Sequence, residues 1–262
     1  MDFRMLGRLE VEAEGLEVAP TRPRERAVLG ALLLRRGRRV RIEEIIDAVW
    51  DEDPPPTART ALHGHISALR RRLGAERIET QPGGYRLQLL PGDTLDIERL
   101  ERLVADAGTE GAASRSELLR EALALFRDEP LADIDLDADP SVSLAIELAA
   151  ETARLDELRL AAEEQRAAAD LELGRQLDVV PRLERLVAEH PLREGFRSHL
   201  MLALYRAGRQ ADALRVAQEA RRILDSELGV EPGPALQRLE LQILDHDPEL
   251  SAASLAELAG ET

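Results

Sequence analysis

The segment at residues 57–74, TARTALHGHISALRRRLG, carries polar side chains whose types and spacing suit contact with a nucleic acid. Helical periodicity places Leu62, Ile66, Leu69 and Leu73 on one apolar stripe, so most of the polar side chains lie on the opposite face. Guanidinium, hydroxyl and imidazole groups can bind base edges in a major groove, and guanidinium groups also neutralise phosphates. The segment therefore predicts a DNA recognition helix.

Position along this helix separates two predicted roles. Side chains near the N-terminus of a recognition helix face base edges, whereas contacts elsewhere are mostly to phosphates. The predicted base-reading residues are Arg59, Thr60, His63 and Ser67. The residues predicted to contact the DNA backbone are Arg70, Arg71 and Arg72 at the end of the helix, and Arg22, Arg24 and Arg26 before it. Arg86 is predicted to enter the minor groove.

A run of arginines on a helix is more often a solvated face than a DNA contact, so the surrounding elements must decide. Apolar stripes predict helices at 23–37 and 42–50, and the proline-rich segment after Trp50 ends the second of them. The third helix begins after Thr57, a predicted N-cap. A hairpin is predicted at 77–89, with its turn at PGG.

Strands are predicted before these helices. Apolar and polar residues alternate from Phe3 to Ala13, with Leu6 the single exception, which predicts one half-buried strand. The residues AEGL at 13–16 predict a turn into a short partner strand. Strands, three helices and a hairpin follow one another in the order of a winged helix-turn-helix, and this order favours the DNA-binding interpretation.

The two histidines of the predicted recognition helix are not expected to bind a metal ion. His63 and His65 are two residues apart, so they point to different faces of a helix. His65 is predicted to be half-buried and structural. Trp50 completes an apolar stripe and is predicted to lie in the core, not on a base-stacking surface.

Composition excludes several kinds of chemistry. The chain has 262 residues, no cysteine, no lysine and a net charge of −16. Without cysteine there are no disulfides, thiolate nucleophiles or cysteine-bound zinc, and without lysine there is no P-loop lysine or Schiff base. No apolar run is long enough to span a membrane, and no signal peptide is recognisable. We expect a cytoplasmic protein without cofactor or metal.

The net charge is distributed unevenly along the chain. Residues 1–92 contain 16 arginines and 14 acidic residues, whereas residues 93–262 contain 19 arginines and 37 acidic residues. Within the first part, residues 22–41 hold eight arginines and one acidic residue. Such a polarised charge indicates nucleic-acid contact by the N-terminal part. We therefore predict two domains, 1–92 and 93–262.

The second predicted domain is helical and contains an internal repeat. LGRQ begins at Leu173 and AGRQ at Ala207, a spacing of 34 residues that is typical of tetratricopeptide-like helical hairpins. Gly174 and Gly208 are predicted to lie in the turns of successive pairs. Such an array offers a concave surface to partner proteins, but the periodicity is equally compatible with a purely structural helical bundle.

Three N-terminal segments carry a family resemblance: RAVLGALLLRRGRRV, IIDAVWDEDPPPTARTALHGHISALRRRLG and RIETQPGGYRL. They resemble the OmpR-type winged helix of the Streptomyces antibiotic regulatory protein family. The segment RLVAEHPLREGFRSHLMLALYRAGRQADALRVAQEARRILDSELGVEPGPAL resembles the bacterial transcriptional activator domain of the same family. The resemblance covers residues 1–245, and Phe126 stands near the family's usual aromatic position.

The resemblance implies a transcriptional activator of a secondary-metabolite gene cluster. Proteins of this family bind direct repeats near the −35 promoter region and contact RNA polymerase, including its sigma factor. Direct repeats imply protomers arranged head to tail on double-stranded DNA. Neither an ATPase domain nor a receiver or forkhead-associated domain is recognisable, so we expect no control by ATP and find no obvious site for control by phosphorylation.

Two other functions fit the residues alone. A winged helix that binds protein instead of DNA would make the chain an adaptor, and a DNA-bound protein that only blocks polymerase would be a repressor. The sequence contains no G-x-S-x-G, Walker A or H-E-x-x-H motif, and its acidic pairs lie on solvated helix faces. An enzymatic function is therefore not expected.

Overall fold

A computed structural model describes residues 1–50, 54–134 and 143–250. The chain forms two compact units, one of Met1–Val104 with Glu121–Leu160 and one of Ala105–Arg120 with Ala161–Thr262. Packing thus groups residues 121–160 with the N-terminal elements, although they are distant in sequence. The domain boundary that the sequence places after residue 92 stays a prediction.

The first unit contains the predicted winged helix-turn-helix. Its helices are α1 (Pro23–Leu34), α2 (Ile42–Trp50) and α3 (Ala58–Leu73). The predicted bounds of α2 are confirmed, whereas α1 ends before its predicted end at Gly37. The apolar stripe of α3 is fully buried, as predicted, and packs against α1 and α2. Thr57 occupies the N-cap position of α3, but its side chain makes no capping hydrogen bond.

The N-terminal segment forms a hairpin, so the prediction of one strand from Phe3 to Ala13 is wrong. Strand β1 (Asp2–Arg4) pairs antiparallel with β2 (Glu10–Ala13). The chain turns between them at Gly7, whose φ of +136° is accessible to glycine but rarely to other residues. The alternation of apolar and polar residues extends through the turn because the core also buries Met5 and Leu9, which lie between the two strands. The pattern therefore resembles that of one continuous strand.

Two small sheets complete this unit. Strand β2 pairs with β3 (Leu16–Glu17), the predicted short partner, and β1 pairs in parallel with β7 (Thr94–Leu95). The second sheet has the order β4, β6, β5, formed by Val40–Arg41, Gly84–Leu87 and Ile78–Gln81. Strands β5 and β6 are the predicted hairpin, which forms the wing. At Gly84 a Cβ atom would collide with the Val40 carbonyl, so the strand pairing requires glycine.

Helices α4 (Asp96–Ala107) and α5 (Ala112–Leu123) follow the wing, and the chain after α5 returns to the N-terminal hairpin. The Arg127 and Leu131 backbone N–H groups donate to the carbonyls of Leu6 and Met5, both at 2.9 Å. Asp133 accepts from the Leu9 backbone N–H at 2.8 Å and pairs with Arg26. These contacts attach the segment to the winged helix. The predicted acidic loop, 127–141, continues beyond it outside the described residues.

Replacement of Asp133 by alanine is expected to destabilise the first unit. Arg26 is only 14% exposed and would lose its carboxylate partner, and the Leu9 N–H would lose its acceptor. Each unsatisfied buried group costs about 1–3 kcal/mol. Urea unfolding measures the free energy of unfolding, with Asp128→Ala, an exposed carboxylate of the same segment, as control. An unchanged midpoint would show that these bonds do not stabilise the fold.

The second unit is helical. Its principal helices are the C-terminal part of α6 (Ser143–Glu172), α7 (Gln176–Glu189), α8 (Glu194–Arg206), α9 (Gln210–Leu228) and α10 (Pro234–Leu244). Gly174 and Gly208 lie in the turns before α7 and α9, as predicted, with φ values of +70° and +74°. Helices α7, α8 and α9 pack successively, which is the arrangement of helical repeats. The C-terminal tail from Ser251 lies outside the described residues.

None of the helices within the described ranges has an uninterrupted stretch long and apolar enough to span a bilayer.

Candidate nucleic-acid interface

The outward face of α3 is polar and exposed above a buried apolar stripe. Ile66 and Leu69 hold this helix in the core because they are almost fully buried. The exposed polar residues of the helix are Arg59, Thr60, His63, Ser67, Arg71 and Arg72. Helix α3 therefore presents all four predicted base-reading residues and two of the three predicted phosphate-contacting residues to solvent.

Arg59, in the first turn of α3, is held by a residue of α2. Its guanidinium donates to the Glu43 carboxylate at 2.7 Å, and both side chains are 60% exposed. An exposed ion pair of this kind contributes little to stability, about 0–1 kcal/mol. The ion pair does restrict the orientation of the Arg59 guanidinium. Bidentate recognition of a guanine edge requires an oriented guanidinium. Glu43 was not identified from the sequence.

Ser67 and His63 interact within the helix. The Ser67 hydroxyl donates to the His63 carbonyl at 2.8 Å, which leaves the hydroxyl oxygen able to accept. The His63 ring meets the Tyr85 ring of the wing edge-on, with centroids 6.4 Å apart. His63 thus lies where the recognition helix approaches the wing.

Arg70 is half-buried and bonded to the wing. Its guanidinium donates to the Ile78 carbonyl at 2.7 and 2.8 Å and to the Thr80 hydroxyl at 2.8 Å. It also lies 6.0 Å from the centre of the Tyr85 ring. These contacts connect α3 to both wing strands and orient the wing relative to the helix.

The three arginines at the start of α1 have different surroundings. Arg22 and Arg24 are exposed, and the Arg24 guanidinium lies 5.4 Å from the centre of the Trp50 ring. Arg26 instead donates to the Pro20 carbonyl at 2.8 Å and to the Leu9 carbonyl, in addition to its pair with Asp133. Its contacts favour a structural role over the predicted phosphate contact.

The wing tip is formed by Pro82 and Gly83, between β5 and β6. Arg86 is the third residue of β6 and donates across the strands to Glu79 at 2.7 Å. Arg39, which sequence reasoning missed, donates to the Pro82 carbonyl at 2.9 Å and is exposed. The signal in the sequence that could have identified Arg39 is the arginine-rich segment before α2. Its guanidinium brings positive charge to the wing tip.

Trp50 and His65 belong to the interior, as predicted. Trp50 is buried, and its ring centroid lies 5.7 Å from that of His65. The His65 Nδ1 atom is 4.0 Å from the buried Glu25 carboxylate. Burial lowers the pKa of His65 below its usual value despite this carboxylate, so the imidazole is neutral at pH 7. Elsewhere in the described ranges, no group of three or more acidic or histidine residues is arranged to hold a metal ion.

Two family descriptions match successive parts of the chain. "Transcriptional regulatory protein, C terminal" matches residues 17–87, which include the winged helix-turn-helix. "Bacterial transcriptional activator domain" matches residues 95–244, more than half of the chain.

Curated relatives match along almost the whole chain. Regulatory protein AfsR of Streptomyces coelicolor is 41% identical over 258 residues, which are 97% of this chain and 25% of the relative. Regulatory protein DnrI of Streptomyces peucetius is 36% identical, with 95% and 93% covered. This chain therefore spans about a quarter of the length of AfsR but nearly all of DnrI.

A solved structure confirms the fold. Mycobacterium tuberculosis EmbR, in complex with a low-affinity phosphopeptide, superposes with a TM-score of 0.86 and 32% sequence identity. The match covers 98% of this chain and 68% of the EmbR chain.

Proposed function

The chain belongs to the Streptomyces antibiotic regulatory protein family, and from this membership we propose that it activates transcription by binding specific DNA sequences. The proposed sites are direct repeats near the −35 region of promoters in a secondary-metabolite gene cluster. The observation that carries the proposal is the exposed polar face of α3, fixed by its buried apolar stripe. The repeats would be read by protomers bound head to tail.

The exposed residues of α3 make two kinds of contact with DNA, to base edges and to phosphates. Arg59, Thr60, His63 and Ser67 contact base edges, because the first half of a recognition helix enters the major groove most deeply. Arg71 and Arg72 contact phosphates together with Arg22 and Arg24. Arg39 adds a phosphate contact beside the wing tip, where its guanidinium is already placed.

The helical second unit provides the surface for RNA polymerase, including its sigma factor. Its successive helical pairs resemble repeat proteins, which bind partners along an extended surface. Promoter-bound activators increase transcription when they supply polymerase with an additional contact.

Transcription in vitro tests the proposed activity directly. The template carries direct repeats upstream of a weak promoter, and RNA polymerase from an actinobacterium is added with and without the protein. We expect a footprint at the repeats and more transcript when the protein is present. A footprint with unchanged or reduced transcript would refute activation, and a reduced transcript would indicate a repressor. The absence of any salt-sensitive DNA affinity would refute DNA binding and favour an adaptor.

Replacement of Arg71 by alanine is expected to weaken binding to all DNA sequences about equally. One phosphate contact fewer lowers the dependence of log affinity on log salt concentration by about 0.9. Fluorescence anisotropy at several salt concentrations measures both quantities on cognate and scrambled duplexes. A loss confined to the cognate duplex would instead assign base readout to Arg71.

The same measurement on Arg70→Ala distinguishes two roles for that residue. If Arg70 contacts phosphate, as the sequence predicts, the salt dependence decreases as it does for Arg71→Ala. If Arg70 acts only by holding the wing through Ile78 and Thr80, affinity decreases with the salt dependence unchanged. Hydrogen exchange at β5 should then accelerate in the variant.

A further inference from the structure

A cavity of about 360 Å³ lies within the first unit, away from the recognition helix. Strands β1 and β7, helix α4 and the chain that follows α5 line it. Phe3, Leu95 and Leu125 supply its apolar lining, and the first two of these belong to the buried core. The charged residues of the lining are Asp2, Arg4, Asp96, Arg99, Arg102 and Arg127.

The two carboxylates in this lining are already engaged. Asp96 accepts from the backbone N–H groups of Met5 and Leu6 at 2.8–2.9 Å, and the Thr94 hydroxyl donates to Asp2 at 2.5 Å. Burial raises the pKa of Asp96 although these bonds oppose the effect. Arg4 lies 3.9 Å from Asp2 and Arg127 lies 3.7 Å from Asp96, so Arg99 and Arg102 are the guanidinium groups that pair with no carboxylate of the lining.

Three of the arginines pair with carboxylates that lie outside the lining. Arg4 bonds to Glu12 at 2.7 Å, and Arg127 and Arg99 pair with glutamates of β2 and α5. These pairs are partly exposed and are worth about 0–1 kcal/mol each, so an anion can replace them at low cost. Arg102 is exposed and makes no ion pair with any residue in the described ranges.

We propose that this cavity, called here the arginine pocket, binds a phosphorylated small molecule. The phosphate would lie between Arg99 and Arg102, and a ring would lie against Ala124 and Leu125, the apolar residues of the lining that are at least partly exposed. A phosphate monoester carries almost two negative charges, and its oxygens match the geometry of the guanidinium fork. A single carboxylate carries less charge and occupies two arginines less well. The volume is at the lower end of the range for small-molecule sites, about 300–1,000 Å³.

Occupation of the arginine pocket would stabilise the N-terminal hairpin. The same lining residues, Asp96 and Arg127, already hold the backbone of Met5 and Leu6. A ligand whose phosphate is bound by Arg99 and Arg102 and whose ring lies against Leu125 would connect α4 to the chain after α5, which bonds to this turn. Binding should therefore increase the thermal midpoint of the protein.

Titration calorimetry on the full chain tests the proposal with adenosine 5′-monophosphate and inorganic phosphate as probes. Adenosine without phosphate is the ligand control. The variants are Arg102→Gln and Arg99→Gln, and Arg222→Gln on α9 is the matched control because it removes an exposed arginine outside the pocket. We expect the monophosphate to bind, and each pocket variant to weaken it about tenfold, the value of one charge-assisted contact. Arg222→Gln should bind as the unaltered chain does.

Several results would overturn the proposal. These are no heat from either phosphate probe, equal binding by adenosine, or equal binding by the pocket variants. Tighter binding of a phosphothreonine peptide than of the monophosphate would assign the pocket to a protein partner instead. None of these measurements depends on DNA, so the proposal fails or holds independently of the proposed function.

Discussion

Alanine in place of Arg59 is expected to weaken binding to the cognate repeat by about 1–3 kcal/mol, or roughly 5- to 150-fold. Arg59 lies in the first turn of α3, where side chains reach base edges, and its pair with Glu43 orients it in the free protein. Binding to a scrambled duplex should weaken much less, because that binding depends on total positive charge.

Glu43→Gln is the companion variant. It removes the carboxylate that orients Arg59 and keeps the size of the side chain. We expect a smaller loss on the cognate repeat than for Arg59→Ala, and a slight gain on scrambled DNA because one negative charge near the phosphates is removed. Anisotropy titrations on repeats altered at single base pairs identify the pair read by Arg59. Equal losses on every duplex would contradict base readout.

Asparagine in place of Asp93 is expected to destabilise the winged helix by about 3–5 kcal/mol, the usual cost of breaking a buried ion pair. The Asp93 side chain is 2% exposed, and it accepts from the Arg77 guanidinium at 2.9 and 3.0 Å. It also accepts from the Leu90 N–H at 2.8 Å, while Arg77 donates to the Leu73 carbonyl at 2.6 Å. The pair thus joins the end of α3, the start of the wing and β7.

This contribution depends on pH. Burial would raise the pKa of Asp93, but hydrogen bonds from Arg77, from the Met1 ammonium group and from the Leu90 N–H, together with the charge of Arg77, outweigh burial and hold that pKa well below its usual value. A carboxyl group with a lowered pKa stabilises the folded state above its unfolded pKa, about 3.9, and loses that effect as the pH falls below it. Urea unfolding should therefore show that the free energy of unfolding differs between the unaltered protein and Asp93→Asn by a constant amount from pH 5 to 7. The difference should be smaller below about pH 4.

Asp106→Asn on α4 is the matched control, because Asp106 is exposed and its substitution should change stability by less than about 0.5 kcal/mol. A similar midpoint for Asp93→Asn and Asp106→Asn would show that the pair with Arg77 does not stabilise the fold.

Local patterns were enough to predict most elements of the fold. The stripe from Leu62 to Leu73 identified α3 and the face it exposes, because helical periodicity depends only on residue spacing. Gly174 and Gly208 marked the repeat turns, since a positive φ favours glycine wherever it occurs. The same stripe determines which residues of α3 face solvent, so the sequence alone identifies the base-reading candidates.

Contacts between residues that are distant in the sequence cannot be predicted from periodicity or residue type. Arg26, Arg70 and Arg71 are chemically equivalent in the sequence, yet folding bonds Arg26 to Asp133 and Arg70 to Ile78, and leaves Arg71 exposed. Between β1 and β2, the backbone N–H groups of Met5 and Leu6 donate to Asp96, a residue about ninety positions away in the sequence. Spacing along the chain establishes which side chains share a helix face. The partner that a charged side chain finds depends on which distant segments the core brings together, and that is decided by packing.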